Sequence, residues 1–161
     1  MRTEAYLSDD RVFRNWLLRV WDEALPIYVV IGTNPSKADE RENDPTIRKV
    51  IGFGKRLGIG GALMLNVGAF RATDPRDWKA ASDPFGPENT VEHLQGYIIK
   101  FAPVLVVAAW GKPCMSSQRG VHRAEAIKQN IRGMKCWGRN GDGSPRHPLM
   151  LAYSTELEQF N

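Results

Sequence analysis

The chain has 161 residues, of which 42% are hydrophobic and 25% are charged. These proportions are typical of a globular protein, and the length predicts a single domain over residues 1–161. No apolar run approaches the roughly 20 residues of a membrane span, and Arg2 and Glu4 near the amino terminus do not fit a signal peptide. We therefore expect a soluble, cytoplasmic protein with no membrane partner, and the sequence leaves its oligomeric state open.

The charge and the reactive residues exclude several classes of chemistry. The net charge of +4 is compatible with a polyanionic partner but does not require one. Cys114 and Cys136 form neither a C-x-x-C pair nor a disulfide framework, and neither is expected to be a nucleophile. His93, His122 and His147 lack the spacing of metal ligands, and there is no phosphate-binding loop or G-x-S-x-G nucleophile elbow. We expect no metal and no cofactor.

The amino-terminal segment has the spacing of an amphipathic helix. Ser8 or Asp9 can cap it, and Pro26 prevents its continuation. Four apolar residues fall on one helical face: Val12, Trp16, Leu17 and Val20. The pattern predicts a helix that packs as an outer layer.

The next stretch, Ile27 to Asp39, is the one around which the chain is organised. Five apolar residues without polar alternation indicate a strand buried on both faces, as in a parallel sheet covered by helices. Turn residues at 32–36 then end the strand. Open α/β folds bind their ligands at such loops, so Asn34 is the first candidate site residue.

Strands and helices alternate through the rest of the chain. Asp44-Pro45 predicts the start of a helix that ends at Gly58, and Ala62 to Val67 predicts a strand closing on Asn66. Further helices are predicted over 87–101 and 117–131, and strands over 104–109 and 134–137. This order predicts an α/β fold with three layers, in which a central parallel sheet of about four strands lies between helices.

The parallel topology brings together residues that are distant in sequence. Because helical crossovers return each strand in the same direction, the segments 32–36, 66–73, 110–112 and 138–147 all leave the carboxyl edge of the sheet. We expect a cleft there that gathers polar and basic side chains, namely Asn34, Ser36, Asn66, Arg71, Lys112, Arg146 and His147.

Three of these residues have both a functional and a structural interpretation. The carbonyl of Asn34 can orient a water molecule, or the residue can form an Asx-turn before Pro35. The amide of Asn66 can pair with a planar edge such as a nucleobase, or simply end a strand. His147 can donate to a developing oxyanion, or be a loop histidine satisfied by the backbone. Basic residues nearby can bind phosphates or be solvated surface groups.

Four short motifs stand in chain order at the ends of predicted strands or near the carboxyl terminus: Gly32-Thr33-Asn34-Pro35, Leu63-Met64-Leu65-Asn66, Ala109-Trp110-Gly111 and His147-Pro148-Leu149. Together they resemble motifs of the uracil-DNA glycosylase superfamily, in its mismatch-uracil and thymine-DNA glycosylase branch. The resemblance implies a uracil-DNA glycosylase-like fold in which Asn34 positions the attacking water, Asn66 recognises the base and His147 stabilises the leaving base. The candidate catalytic residues are thus Asn34 and His147. The candidate substrate-binding residues are Gly32, Pro35, Ser36, Asn66, Arg71, Trp110, Lys112 and Arg146.

A second resemblance covers nearly the whole chain. Its patterns are Asn34-Pro35-Ser36, Asp44-Pro45-Thr46, Asn66, Arg71-Ala72-Thr73-Asp74-Pro75, Gly86-Pro87-Glu88-Asn89, Trp110-Gly111 and Pro145-Arg146-His147-Pro148-Leu149. By these the chain resembles a domain-of-unknown-function family, numbered 1643. This resemblance identifies a family but does not imply an activity.

Two hypotheses for function follow. The first is an enzyme that cleaves or modifies an N-glycosidic bond in DNA or in a free nucleotide. The second is a non-catalytic module that uses the same cleft to bind nucleotide or nucleic acid. Catalysis requires individual cleft residues, whereas binding depends on summed positive charge and on salt.

Overall fold

A computed structural model describes all residues, 1–161, and contains seven β-strands and five α-helices. The strands are β1 Arg2–Leu7, β2 Arg14–Val20, β3 Ile27–Gly32, β4 Gly61–Asn66, β5 Val106–Ala108, β6 Lys135–Cys136 and β7 Glu158–Gln159. The helices are α1 Pro45–Arg56, α2 Pro75–Ala80, α3 Val91–Phe101, α4 Gly111–Met115 and α5 Gln118–Asn130, with a 3₁₀ turn at Pro148–Met150. None of these helices has the length and apolar character needed to span a membrane.

All seven strands form one sheet in the order β1-β2-β4-β3-β5-β6-β7. The prediction of an α/β fold is confirmed, but the sheet is larger than the predicted four strands and it is mixed. Its four inner neighbours, β4, β3, β5 and β6, run parallel. Antiparallel strands extend it on both sides, β2 and β1 at one end and β7 at the other.

The predicted amino-terminal helix is wrong, because that segment forms the antiparallel strands β1 and β2. Every residue of β2 is buried, including Arg14, Asn15 and Arg19. A strand buried on both faces shows no period-2 alternation, so the spacing of its apolar residues imitates a helical face. Pairing with β4, from Leu17 opposite Met64 to Val20 opposite Gly61, fixes the register.

The strand β3 lies at the centre of the sheet, as expected, and both of its faces are covered. Val29 and Ile31 point into one hydrophobic core, which also contains residues of α3 and α5. Tyr28 and Val30 point into the other core, which α1 covers. All four side chains are fully buried, which accounts for the unbroken apolar run in the sequence.

The helical crossovers place four loops at one edge of the sheet. The helix α1 connects β3 to β4, the pair α2 and α3 connects β4 to β5, and α4 and α5 connect β5 to β6. The start of α1 is the predicted one: Asp44 accepts a hydrogen bond from the Ile47 N–H at 2.9 Å, and Pro45 occupies the first helical position. The loops that follow β3, β4, β5 and β6 therefore share the carboxyl edge.

Candidate functional site

A cavity of about 460 Å³ opens at this carboxyl edge. The loop after β3, the end of β4, the segment after β5 and the start of α1 all contribute to its wall. Of the ten predicted site residues, six line it: Gly32, Asn34, Ser36, Asn66, Trp110 and His147. Residues separated by more than 110 positions thus meet in one cavity, because parallel strands end at one edge.

The other four predicted residues do not line this cavity. Pro35 is buried in the loop, where its carbonyl accepts from the Ala72 N–H at 2.9 Å. Lys112 is exposed on α4, and Arg146 is exposed against the turn at Gly138. Arg71 lines a smaller neighbouring pocket instead. Proximity along the chain to a strand end therefore does not by itself aim a long side chain into the cavity.

The orientation of the Asn34 side chain is fixed by its amide nitrogen. Nδ2 donates to the carbonyl oxygens of Ala72 at 2.8 Å and Pro35 at 3.0 Å. Two carbonyl acceptors allow only one orientation of the amide. An Asx-turn would need the side-chain oxygen to accept from the backbone, and Oδ1 accepts from no protein donor. Asn34 consequently offers its oxygen as a free acceptor.

Asn66 has the opposite arrangement. Its Oδ1 accepts from Arg14 Nη2 at 3.3 Å, and its Nδ2 donates to no protein group. The residue is 2% exposed, so its amide can meet only a ligand that enters the cavity. Asn34 and Asn66 together provide one hydrogen-bond acceptor and one donor, the combination that a planar amide-like edge requires.

Arg14 is a cavity residue that sequence analysis missed. Its guanidinium is 2% exposed and donates to the Ala38 carbonyl at 2.8 Å and to Asn66, while Nε has no hydrogen-bond partner. No carboxylate lies within ion-pair distance of it. Burial lowers the pKa of Arg14 to about 10, so the group stays charged at neutral pH. A buried cation without a counter-ion lines the cavity.

His147 presents its Nε2–H as a donor. Its Nδ1 accepts from the Leu149 N–H at 3.2 Å, which caps the 3₁₀ turn and places the proton on Nε2. Burial holds the pKa of His147 below its ordinary value, and the charge of Asp44 opposes this. The backbone thus satisfies one ring nitrogen, as the structural interpretation expected, but leaves the other available.

Gly111 makes room for His147. The glycine has a φ of +71°, and a Cβ at this position would lie 3.3 Å from the Cβ of His147. Its N–H donates to the Pro145 carbonyl at 2.9 Å, which ties the start of α4 to the segment that carries the histidine. The Trp110-Gly111 pair is therefore part of the support of this site.

Asp44 also lines the cavity, although its sequence pattern predicted only a helix cap. One carboxylate oxygen, Oδ1, accepts from the Ile47 N–H, and no hydrogen bond uses the other. Asp44 is the only acidic residue among those lining the cavity. Asp44 thus both caps a helix and lines the cavity. Sequence spacing does not distinguish such a residue from one that only caps a helix.

The loop of residues 36–42, here called the arginine-held loop, is fastened by guanidinium groups. Arg71 donates to the Ser36 carbonyl at 3.2 Å and the Lys37 carbonyl at 3.1 Å, and Arg14 donates to that of Ala38. Arg19 donates to the carbonyls of Asp39 and Glu42, the latter at 3.0 Å. Arginines on β2 and after β4 therefore fix this loop, whose first residue, Ser36, lines the cavity.

The comparison with family models gives one match. The family described as "Protein of unknown function (DUF1643)" matches residues 14–149, which is most of the chain. The chain belongs to this family. No curated protein and no solved structure gives a match.

The matched range of DUF1643 begins and ends at the cavity. Its first residue, Arg14, and its last, Leu149, both line the cavity, as do residues from every crossover between them. The strand β1 and the carboxyl-terminal β7 lie outside the match and at the two ends of the sheet. No group of three or more His, Cys, Asp or Glu side chains in this DUF1643 chain is placed to hold a metal ion.

Proposed function

We propose that this DUF1643 chain is a nucleobase N-glycosylase-like enzyme that acts on DNA or nucleotides. One observation carries the proposal: a free amide oxygen on Asn34, a free amide nitrogen on Asn66 and the Nε2–H of a neutral His147 line the same cavity. These are the groups needed to orient water, to bind a base edge and to stabilise a leaving base.

In the proposed reaction, the oxygen of a water molecule attacks the anomeric carbon and the bond between that carbon and the base nitrogen breaks. Asn34 Oδ1 accepts a hydrogen bond from the water and orients it, since an amide does not titrate. Asp44 accepts the proton that the water loses. The electron pair of the broken bond goes to the base, and His147 Nε2–H donates to the oxygen on which the negative charge develops.

The proposal includes a uracil-DNA glycosylase-like fold. Support comes from the order of the four motifs, from the position of the first three at strand ends on the carboxyl edge, and from the fourth, which follows β6 and brings His147 to the same cavity. The parallel strands β3 and β4 end at Gly32 and Asn66, opposite each other in register, so the first two motifs are adjacent. Helices pack on both faces of the sheet, as that fold class requires.

The test is release of free base from oligonucleotides and from free nucleotides that carry modified pyrimidines or purines. Asn34→Ala is expected to lower turnover at least about a hundredfold, because a water-orienting group acts in the transition state. Asn130→Ala is the matched control, since Asn130 is exposed at the end of α5, away from the cavity. Circular dichroism checks folding. Equal turnover in Asn34→Ala and wild type, or no release from any substrate, would contradict the proposal.

A second candidate function is a non-catalytic module that binds nucleotide or nucleic acid. The observation in its favour is that Arg14, Lys37 and Arg71 carry positive charge near the cavity and none of them forms an ion pair. Binding by such a module falls as salt rises and does not depend on Asn34. A wild-type protein that binds oligonucleotides but releases no base would favour this function.

A further inference from the structure

We infer that the ligand of the cavity carries a phosphate group, and that this phosphate binds in a smaller basic pocket that adjoins the cavity. The inference rests on the proposed function, because it specifies the ligand of the same site. The small pocket has a volume of about 280 Å³ and shares three residues with the cavity, namely Ser36, Ala72 and Thr73. A ligand with two parts can therefore occupy both spaces.

The basic pocket contains two cations without counter-ions. Arg71 and Lys37 line it, and neither is within ion-pair distance of a carboxylate. Arg11 lines it too, but Asp39 and Glu40 lie 3.1 and 3.0 Å from its guanidinium. The cationic groups of the pocket that are left without an ion pair are therefore Arg71 and Lys37.

The guanidinium of Arg71 is held in a fixed position. Its Nε and its two Nη atoms donate to the backbone carbonyls of Ser36 at 3.2 Å, Arg11 at 3.3 Å and Lys37 at 3.1 Å. Each Nη carries two hydrogens, and one of each remains for a ligand. A positioned guanidinium suits the oxygens of a phosphate, which it can bind through two parallel hydrogen bonds.

Two hydroxyl groups complete the donor set. Ser36 and Thr73 lie where the two pockets meet, and neither side chain makes a hydrogen bond within the protein. Hydroxyls, a guanidinium and an ammonium are together the usual ligands of a phosphate. No acidic side chain lines the basic pocket.

The buried Arg14 adds to the requirement for an anion. Arg14 lines the cavity; burial lowers its pKa, the charge of Asp44 raises it, and the charge of Arg71 lowers it again. Two like charges near each other, with no carboxylate in contact with either, are stabilised by any anion that binds between them. A phosphate beside Arg71 supplies that anion when its base occupies the cavity, so a nucleoside phosphate should bind more tightly than the nucleoside alone.

The experiment measures binding by calorimetry at low salt. The ligands are the four common deoxynucleosides, their 5′-monophosphates, inorganic phosphate alone and a short single-stranded oligonucleotide of mixed sequence. At least one 5′-monophosphate is expected to bind at least tenfold more tightly than its nucleoside. An oligonucleotide that binds more tightly still indicates a phosphodiester of a strand, and equal binding indicates a free nucleotide.

Two neutralised variants locate the phosphate. Lys37→Gln is expected to weaken monophosphate binding about three- to tenfold and to leave nucleoside binding unchanged. Lys55→Gln removes the same charge from an exposed position at the end of α1, outside both pockets, and should change neither. Lys37 is chosen because its side chain makes no hydrogen bond, whereas Arg71 also holds the loop.

The outcomes separate this inference from the proposed function. Equal affinity for nucleoside and monophosphate, or no effect of Lys37→Gln on either, overturns the phosphate site and leaves the glycosylase proposal standing. Base release without tighter binding of phosphorylated ligands would likewise overturn the phosphate site and leave the glycosylase proposal standing. If no nucleoside, no nucleotide and no oligonucleotide binds, both proposals are wrong.

Discussion

Arg14 Nη2 donates to Asn66 Oδ1 across 3.3 Å, and this contact determines which end of the Asn66 amide faces the cavity. The oxygen is occupied by the guanidinium, so the nitrogen is left for a ligand. Arg14 is thus a positioning residue for Asn66. Its own position is fixed in turn by the Ala38 carbonyl, 2.8 Å from Nη1.

Asn66→Asp should separate stability from binding. A carboxylate at this position pairs with the buried charge of Arg14, so we expect the free energy of unfolding to be unchanged or raised. The variant lacks the amide donor and places a negative charge in the cavity, so nucleotide affinity should fall at least tenfold. Urea unfolding and calorimetry measure the two quantities.

Asn66→Ala is the companion variant. It leaves Arg14 Nη2 without its partner, and we expect it to lose about 1–3 kcal/mol of stability as well as ligand binding. Full nucleotide affinity in Asn66→Asp would contradict the role of the Nδ2 donor.

Gly111→Ala tests the contact between α4 and His147. Alanine at a φ of +71° costs about 1–2 kcal/mol from backbone conformation alone, and its Cβ would also press against the Cβ of His147 at 3.3 Å. Gly58→Ala is the matched control, with a φ of +70° and no atom within 4 Å of the added Cβ. Both variants should be destabilised, but only Gly111→Ala should lower turnover. Equal turnover in the two would show that the contact does not position the histidine.

Titration of His147 should make stability depend on pH. Its pKa in the folded protein lies below the ordinary value of about 6.5, mainly because of burial, so the unfolded chain binds more protons between the two values. The contribution of His147 to the free energy of unfolding is fully present above about pH 6.5 and is lost as the pH falls through the pKa of the folded state. His147→Asn keeps an acceptor for the Leu149 N–H but does not titrate.

Urea unfolding at pH 7.5 and 5.5 measures the effect. We expect wild type to lose more stability than His147→Asn between these two values, and the carboxylates common to both proteins cancel in the comparison. The same loss in both proteins would indicate that His147 does not titrate differently in the folded and unfolded states.

The two cysteines should be unreactive in the native protein. Both are fully buried, burial raises the pKa of Cys114 to about 12, and burial also raises the pKa of Cys136. A colourimetric thiol reagent at pH 8 is expected to detect no thiol before unfolding and two after it. Rapid modification of either cysteine in the native state would contradict the prediction that neither cysteine is a nucleophile.

The central strands could be predicted from sequence because burial on both faces leaves an unbroken apolar run, as at Ile27–Ile31. The same burial defeated the prediction for β2, since its polar residues Arg14 and Arg19 are as buried as its leucines. Both donate hydrogen bonds to loop carbonyls that lie more than 20 residues away in sequence. Long-range partners of this kind leave no local pattern.

The site shows the same limit. Asn34 follows β3 and Asn66 is the last residue of the parallel strand β4, so topology alone brings them to one edge. Arg14 is the first residue of the antiparallel strand β2, and an antiparallel strand has its start, not its end, at that edge. The N–H of Arg14 donates there to the Ala69 carbonyl at 2.9 Å. A parallel-only sheet contains no such position, so Arg14 could not be found without the mixed topology. The catalytic and binding roles of the predicted residues stay predictions.

The arginine-held loop has a consequence for the thermodynamics of binding. Its attachments run from guanidinium groups to peptide carbonyls, and neither partner changes protonation between mildly acidic and mildly alkaline pH. These attachments are therefore retained throughout that range of pH. A ligand that arrives meets a wall already ordered by the folding of the sheet, so little conformational entropy is lost when it binds.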